Sequence, residues 1–175
     1  MNIKKLALFL GITFFSFFLL ATATGALTED DVAATVTVQN IACSVADATI
    51  SYGFLTTSGS AHTAAGGNGE TQTITNDGND NVDFDLKGVH TTTTGGAWTL
   101  AATIGVLDEY KHDYCITDCD GTPTWVPLTT SYAEIATGVA ALGTQLFDAR
   151  MNTPSSTSSY TVQNATIWAQ CSATP

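Results

Sequence analysis

The chain reads as an all-β protein, an antiparallel β-sandwich of jelly-roll or immunoglobulin-like type, in a single domain that follows a signal peptide. Three observations carry that reading. Apolar residues alternate with Thr, Ser, Gln or Asp in short runs. Clusters of Gly, Asn, Asp, Ser and Pro separate those runs. No stretch after the first 26 residues has the period of a long amphipathic helix. Alternation with period two marks strands buried on one face, and frequent turn residues mark short antiparallel connections.

Taken in order, the chain opens with Lys4 and Lys5, then an apolar charge-free run from Leu6 to Ala21, then the small residues Ala21-Thr22-Ala23. This three-part order is that of a secretory signal peptide over residues 1–26, with cleavage after Ala23 or Ala26. The apolar run is slightly long, which leaves an uncleaved anchor as the alternative and as the only expected membrane contact. Residues 27–175 then form one β-sandwich domain of about 150 residues, large enough for a genuine core. The expected location is extracellular or at the cell surface.

The candidate strands follow. Thr35-Val36-Thr37-Val38-Gln39 alternates, and lies within a segment, 32–41, that could act as a donor strand. Thr71 to Thr75 alternates again, and Asn81 to Leu86 places Val82, Phe84 and Leu86 on one face. Trp98–Val106, Trp125–Thr130, Gln145–Asn152 and Tyr160–Ala169 complete the set. Ser131–Leu142 is ambiguous, because its alanines would also suit a helical turn. Turns are expected at Ser58-Gly59-Ser60, Gly66-Gly67-Asn68-Gly69, Asn76-Asp77-Gly78-Asn79, Gly95-Gly96 and Pro154-Ser155-Ser156.

Charge narrows the partners. Two of the five basic residues lie in the signal, leaving Lys87, Lys111 and Arg150. Three basic residues against sixteen acidic ones give the mature domain a net charge of −13. Such a surface repels phosphate backbones, so no nucleic-acid partner is expected. Anionic membranes are disfavoured for the same reason.

All four cysteines, Cys43, Cys115, Cys119 and Cys171, fall in the exported part. An even number in an oxidising compartment reads as disulfides, and three pairings are open. Cys115–Cys119 is favoured as a local staple, which leaves Cys43 to join Cys171. Zinc is disfavoured, because C-x-x-x-C with two isolated cysteines is poor ligand spacing.

Chemistry is sparse. His62, His90 and His112 are scattered, without an H-E-x-x-H pair. Asp118-Cys119-Asp120-Gly121-Thr122 matches a haloacid-dehalogenase nucleophile motif only superficially, because the helices behind such a motif are missing. No G-x-S-x-G elbow is present either. No enzyme activity and no cofactor are expected. Asp113, Asp118 and Asp120 form an acidic cluster whose hard oxygens would suit calcium, without EF-hand spacing. Asn76, Asp77, Asn79 and Asp80 form a second cluster, better read as turn residues. Asn164-Ala165-Thr166 is a glycosylation sequon, and Trp98, Trp125 and Trp168 could form a carbohydrate platform or enter the core.

Several features also fall in a familiar order. Tyr52-Gly53-Phe54-Leu55 precedes a Gly/Ser loop, and Thr73-Ile74-Thr75-Asn76-Asp77-Gly78-Asn79 turns into the Val82/Phe84/Leu86 strand. Trp125-Val126-Pro127-Leu128-Thr129 leads through Ala136-Thr137-Gly138-Val139-Ala140 to Phe147-Asp148-Ala149-Arg150, and Thr153-Pro154 precedes a closing Ser-Tyr-Thr segment. This order resembles small secreted sandwich proteins of the TasA/camelysin group and archaeal bundling-pilus subunits. The cysteines and the acidic 114–123 loop depart from the group. The resemblance implies a structural subunit that self-assembles into a homopolymer, a filament, pilus or biofilm-matrix fibre, by strand donation, and the alternation of 32–41 offers Val32, Val36 and Val38 as the inserting side chains. The alternative is a monomeric secreted adhesin or glycan- or calcium-binding module.

Overall fold

A computed structural model of the protein describes residues 32–46, 49–67, 70–105 and 107–175. The signal peptide expected over 1–26, and Leu27 to Asp31 after it, lie outside the described residues. Among the described residues no helix is long and apolar enough to cross a membrane.

Among the described residues ten strands make two sheets: β1 (Cys43–Ala46), β2 (Ser60–His62), β3 (Gln72–Asn76), β4 (Val82–Gly88), β5 (Thr99–Leu100), β6 (Glu109–Cys115), β7 (Val126–Pro127), β8 (Ala133–Val139), β9 (Thr144–Asn152) and β10 (Ile167–Ala173). The larger sheet runs β1-β3-β9-β6-β5, with β2 added to β9 and β7 to β6. The smaller has the order β10-β4-β8. Every named pairing is antiparallel except β5 with β6, which is parallel.

The alternation seen in the sequence explains the core. Val82, Phe84 and Leu86 of β4 all point inward and are fully buried, and meet Ile74, Tyr114 and Phe147 from the larger sheet. Leu128 and Ile135 complete this cluster. Burying side chains of this size stabilises by about 1.5–3 kcal/mol each. A second cluster of Leu100, Tyr110 and Met151 is flanked by Tyr52, Leu55 and Trp98.

Several sequence expectations need correction. Thr35–Gln39 forms no strand of its own. Of the described residues in Trp98–Val106 only Thr99–Leu100 forms a strand, and Trp125–Thr130 contributes only Val126–Pro127, where Pro127 has no N–H to extend the ladder. The last strand starts at Ile167, not Tyr160, because the preceding Ser/Thr side chains bond locally instead. The Thr161 hydroxyl shares a hydrogen bond with the Ser159 hydroxyl, and Gln163 Nε2 donates to Ser159 Oγ. Such local bonds compete with sheet pairing. The alanine-bearing 131–142 segment is strand β8, since pairing with the buried β4 outweighs a weak helical propensity. Irregular register interrupts that pairing, and Gly138 near its end adopts φ +60°, a conformation that suits glycine.

Both disulfides form, and they pair Cys43 with Cys171 and Cys115 with Cys119. The first joins β1 of the larger sheet to β10 of the smaller, and both cysteines pack on the main core. The second closes a turn of sequence separation 4, against 128 for the first. Two disulfides indicate an oxidising environment. On chain-entropy grounds the long bridge contributes about 5 kcal/mol and the short one about 2. Cys171→Ser should therefore lower the melting temperature by several degrees more than Cys119→Ser, as differential scanning calorimetry would record.

Candidate functional site

Two regions stand apart from ordinary packing. The first is the segment that leads into the sandwich. Val32, Val36 and Val38 are 94, 88 and 75% exposed, a row of apolar side chains at even positions. Residues 32–42 belong to no strand. From Val38 onward the chain is held by the turn after β3. Asn79 Nδ2 donates to the Val38 carbonyl at 2.8 Å, the Asn40 N–H donates to Asn79 Oδ1 at 2.8 Å, and Gln39 Nε2 donates to Asp80 Oδ2 at 2.6 Å. Gly78 permits this close approach, since a Cβ there would lie 2.2 Å from the Asn40 carbonyl oxygen. Asn76 organises the same turn, with Nδ2 donating to the carbonyls of Asp80 and Val139. The second acidic cluster is thus a set of turn ligands for the chain itself.

The smaller sheet has two outer strands, β8 and β10, that pair with β4 alone. On its outward face Trp168 of β10 sits opposite Lys87 of β4, and the Lys87 ammonium lies 4.4 Å from the centre of the Tyr132 ring. Trp168 is 52% exposed. Trp98 instead packs on the second core and donates from Nε1 to Thr157 Oγ1, and Trp125 stacks on Arg150. The three tryptophans therefore make no common platform.

The second region lies on β6 and β9, whose alternation sorts side chains onto two faces. Tyr110, His112 and Tyr114 face inward, opposite Ala149 and Met151. The His112 ring is hydrogen-bonded through Nε2 to the Tyr52 hydroxyl at 2.8 Å, while its buried Nδ1 has no hydrogen-bond partner. Burial pushes its pKa down to about 4, only partly offset by the Asp113 charge. Burial likewise raises the pKa of Tyr52 and of Tyr110.

On the opposite face Lys111 and Asp113 of β6 meet Arg150 and Asn152 of β9, with Lys111 directly opposite Asn152 and Asp113 opposite Arg150. Asp113 has no exposed side-chain surface. Its Oδ2 accepts from Arg150 Nε at 2.9 Å, Arg150 Nη2 at 2.6 Å and Asn152 Nδ2 at 3.1 Å. Lys111 Nζ lies 3.0 Å from Oδ1, which accepts no hydrogen bond of good geometry. The Arg150 guanidinium lies 4.7 Å from the Trp125 ring centre, and Trp125 packs on His62.

The three carboxylates expected as calcium ligands are each engaged separately. Asp113 is committed to Lys111, Arg150 and Asn152, whereas Asp118 Oδ2 accepts from the Thr122 N–H and Asp120 Oδ1 from the Ala65 N–H. The three carboxylates do not converge, and among the described residues no group of three His, Cys, Asp or Glu could hold a metal ion. Asn164 of the sequon is exposed and outside any strand, bridged to Thr92.

The sequence reading missed the quartet around Asp113. Its signal is the period-two run Tyr-x-His-x-Tyr over 110–114, interleaved with Lys and Asp.

Two outcomes follow from this geometry. Between pH 6.5 and about 4 the unfolded chain binds a proton at His112 that the folded chain refuses. Stability therefore falls as pH drops through that window, by on the order of 3 kcal/mol in total. Urea titrations should show this slope in the native protein and a shallower one in His112→Gln. Calcium in excess over chelator should leave the melting temperature unchanged, because a ligand must bind the native state to raise it. No protein-family model matches this chain, and no characterised protein or solved structure matches it.

Proposed function

We propose that this protein is a non-enzymatic structural subunit of an extracellular filament, pilus or biofilm-matrix fibre, in which the segment around Val32, Val36 and Val38 of one copy adds to a sheet of the next. The observation that carries the reading is the exposed valine row, which precedes a sandwich with two singly paired outer strands. An apolar residue at every second position is what a strand added to a sheet edge requires. Main-chain hydrogen bonds then supply affinity, and alternate side chains set the register. An unblocked edge invites such pairing, and head-to-tail donation does not close on itself, so it extends into a fibre. The oxidising environment indicated by the disulfides and the likeness to TasA/camelysin and bundling-pilus subunits agree with a surface role.

A second reading, a monomeric adhesin, rests on the outward Trp168–Lys87–Tyr132 row, since exposed aromatic rings offer faces for sugar stacking. It predicts a protein that stays monomeric at all concentrations.

Removing residues 27–37 distinguishes the two and spares the anchored Val38 carbonyl. Strand donation predicts a folded, soluble monomer that no longer forms fibres under the electron microscope. A truncated protein that still polymerises normally, or that unfolds outright, overturns donation.

A further inference from the structure

We propose that Lys111 and Asn152 form an autocatalytic side-chain amide bond across the centre of the larger sheet, with Asp113 as the proton-transfer group. The two residues are direct cross-strand partners on β6 and β9. Side chains so placed start from Cβ atoms about 4.5–5.5 Å apart. One buried carboxylate touches both reacting groups. Lys111 Nζ lies 3.0 Å from Asp113 Oδ1, and Asn152 Nδ2 lies 3.1 Å from Asp113 Oδ2. An amine and a buried carboxamide held on one buried carboxylate have the proximity that turns a slow bimolecular aminolysis into an intramolecular one.

A purely structural salt bridge is the competing reading, and the arrangement departs from it in one respect. Oδ2 is saturated by Arg150 and Asn152, whereas Oδ1 accepts no well-aligned hydrogen bond and faces the lysine alone among the groups described around it. Oδ1 is thus the open position for a proton. Arg150 acts as a positioning residue: its two nitrogens fix the carboxylate, and Trp125 packs over its guanidinium.

The reaction balances without any oxidant or cofactor. A proton passes from the Lys111 ammonium to Asp113 Oδ1, which frees the nitrogen lone pair. Nζ attacks Asn152 Cγ, forming the C–N bond as the carbonyl π pair moves onto the amide oxygen. The tetrahedral species collapses, the Cγ–Nδ2 bond breaks, and Nδ2 takes a proton delivered through Asp113 and leaves as ammonia. The second proton shed by the lysine nitrogen ends on that ammonia. In sum, an ammonium and a carboxamide become a secondary amide and an ammonium ion.

The chain makes the test simple, because Lys87, Lys111 and Arg150 are the only tryptic sites after residue 26. Reduced, unlinked protein yields peptides 88–111, 112–150 and 151–175. The linked protein resists cleavage at Lys111 and yields 88–150 joined to 151–175, lighter by one ammonia than the sum of an unlinked 88–150 and 151–175. Mass spectrometry of the secreted wild-type protein should find the joined species, and Lys111→Arg, which keeps the charge but lacks the primary amine, should show none. A folded wild-type protein that releases free 88–111 at full mass overturns the proposal. The readout is independent of fibre formation, so its failure and the failure of strand donation are separable.

Discussion

The rest of the structure depends on the ladder between β9 and β6. β9 is the longest strand, and it receives β3 and β2 along one edge and β6 along the other. Because side chains alternate strictly across a sheet, this one ladder builds two unlike environments. One face sends Phe147, Ala149 and Met151 with Tyr110, His112 and Tyr114 into the interior. The other assembles Lys111, Asp113, Arg150 and Asn152 into a charged layer. A slip of one residue would exchange the two sets, burying Lys111 and Arg150 among aromatics. The register is therefore held from both sides, by apolar burial and by the demands of a buried carboxylate.

Asp113 makes that demand costly to ignore. A carboxylate without exposure needs partners, and removing one partner of a buried pair typically costs about 3–5 kcal/mol. Three residues on two strands satisfy it, so charge pairing here is a constraint on topology as much as a source of stability. The same residues that enforce register also hold a primary amine and a carboxamide on one carboxylate.

The two sheets are joined differently. Apolar contact through Val82, Phe84 and Leu86 is non-directional, and the Cys43–Cys171 bridge adds a covalent tie between β1 and β10. Just ahead of that tie, the turn at Asn76–Asp80 grips residues 38–40 with side-chain amides and carboxylates. The valine row therefore ends at a fixed anchor.

Local patterning was enough to determine the fold class, the β4 face and the turn chemistry around Asn76, because period-two alternation and Asn/Asp/Gly turns act over a few residues. Cysteine spacing also favoured the observed disulfides, since Cys115 and Cys119 lie too close in sequence to ignore each other. Tertiary structure decided what depends on distant partners. Alanine-bearing β8 became a strand only because β4 offered it an edge, and Tyr160–Thr166 lost its strand to hydrogen bonds with Ser159 and with Thr91, Thr92, Thr93 and Gly96. Asp113, which looked like a loop carboxylate beside Asp118 and Asp120, lies inside β6 because Arg150 and Asn152, some 40 residues away, neutralise and hold it. No local pattern reports a charge's partner when that partner arrives from another strand.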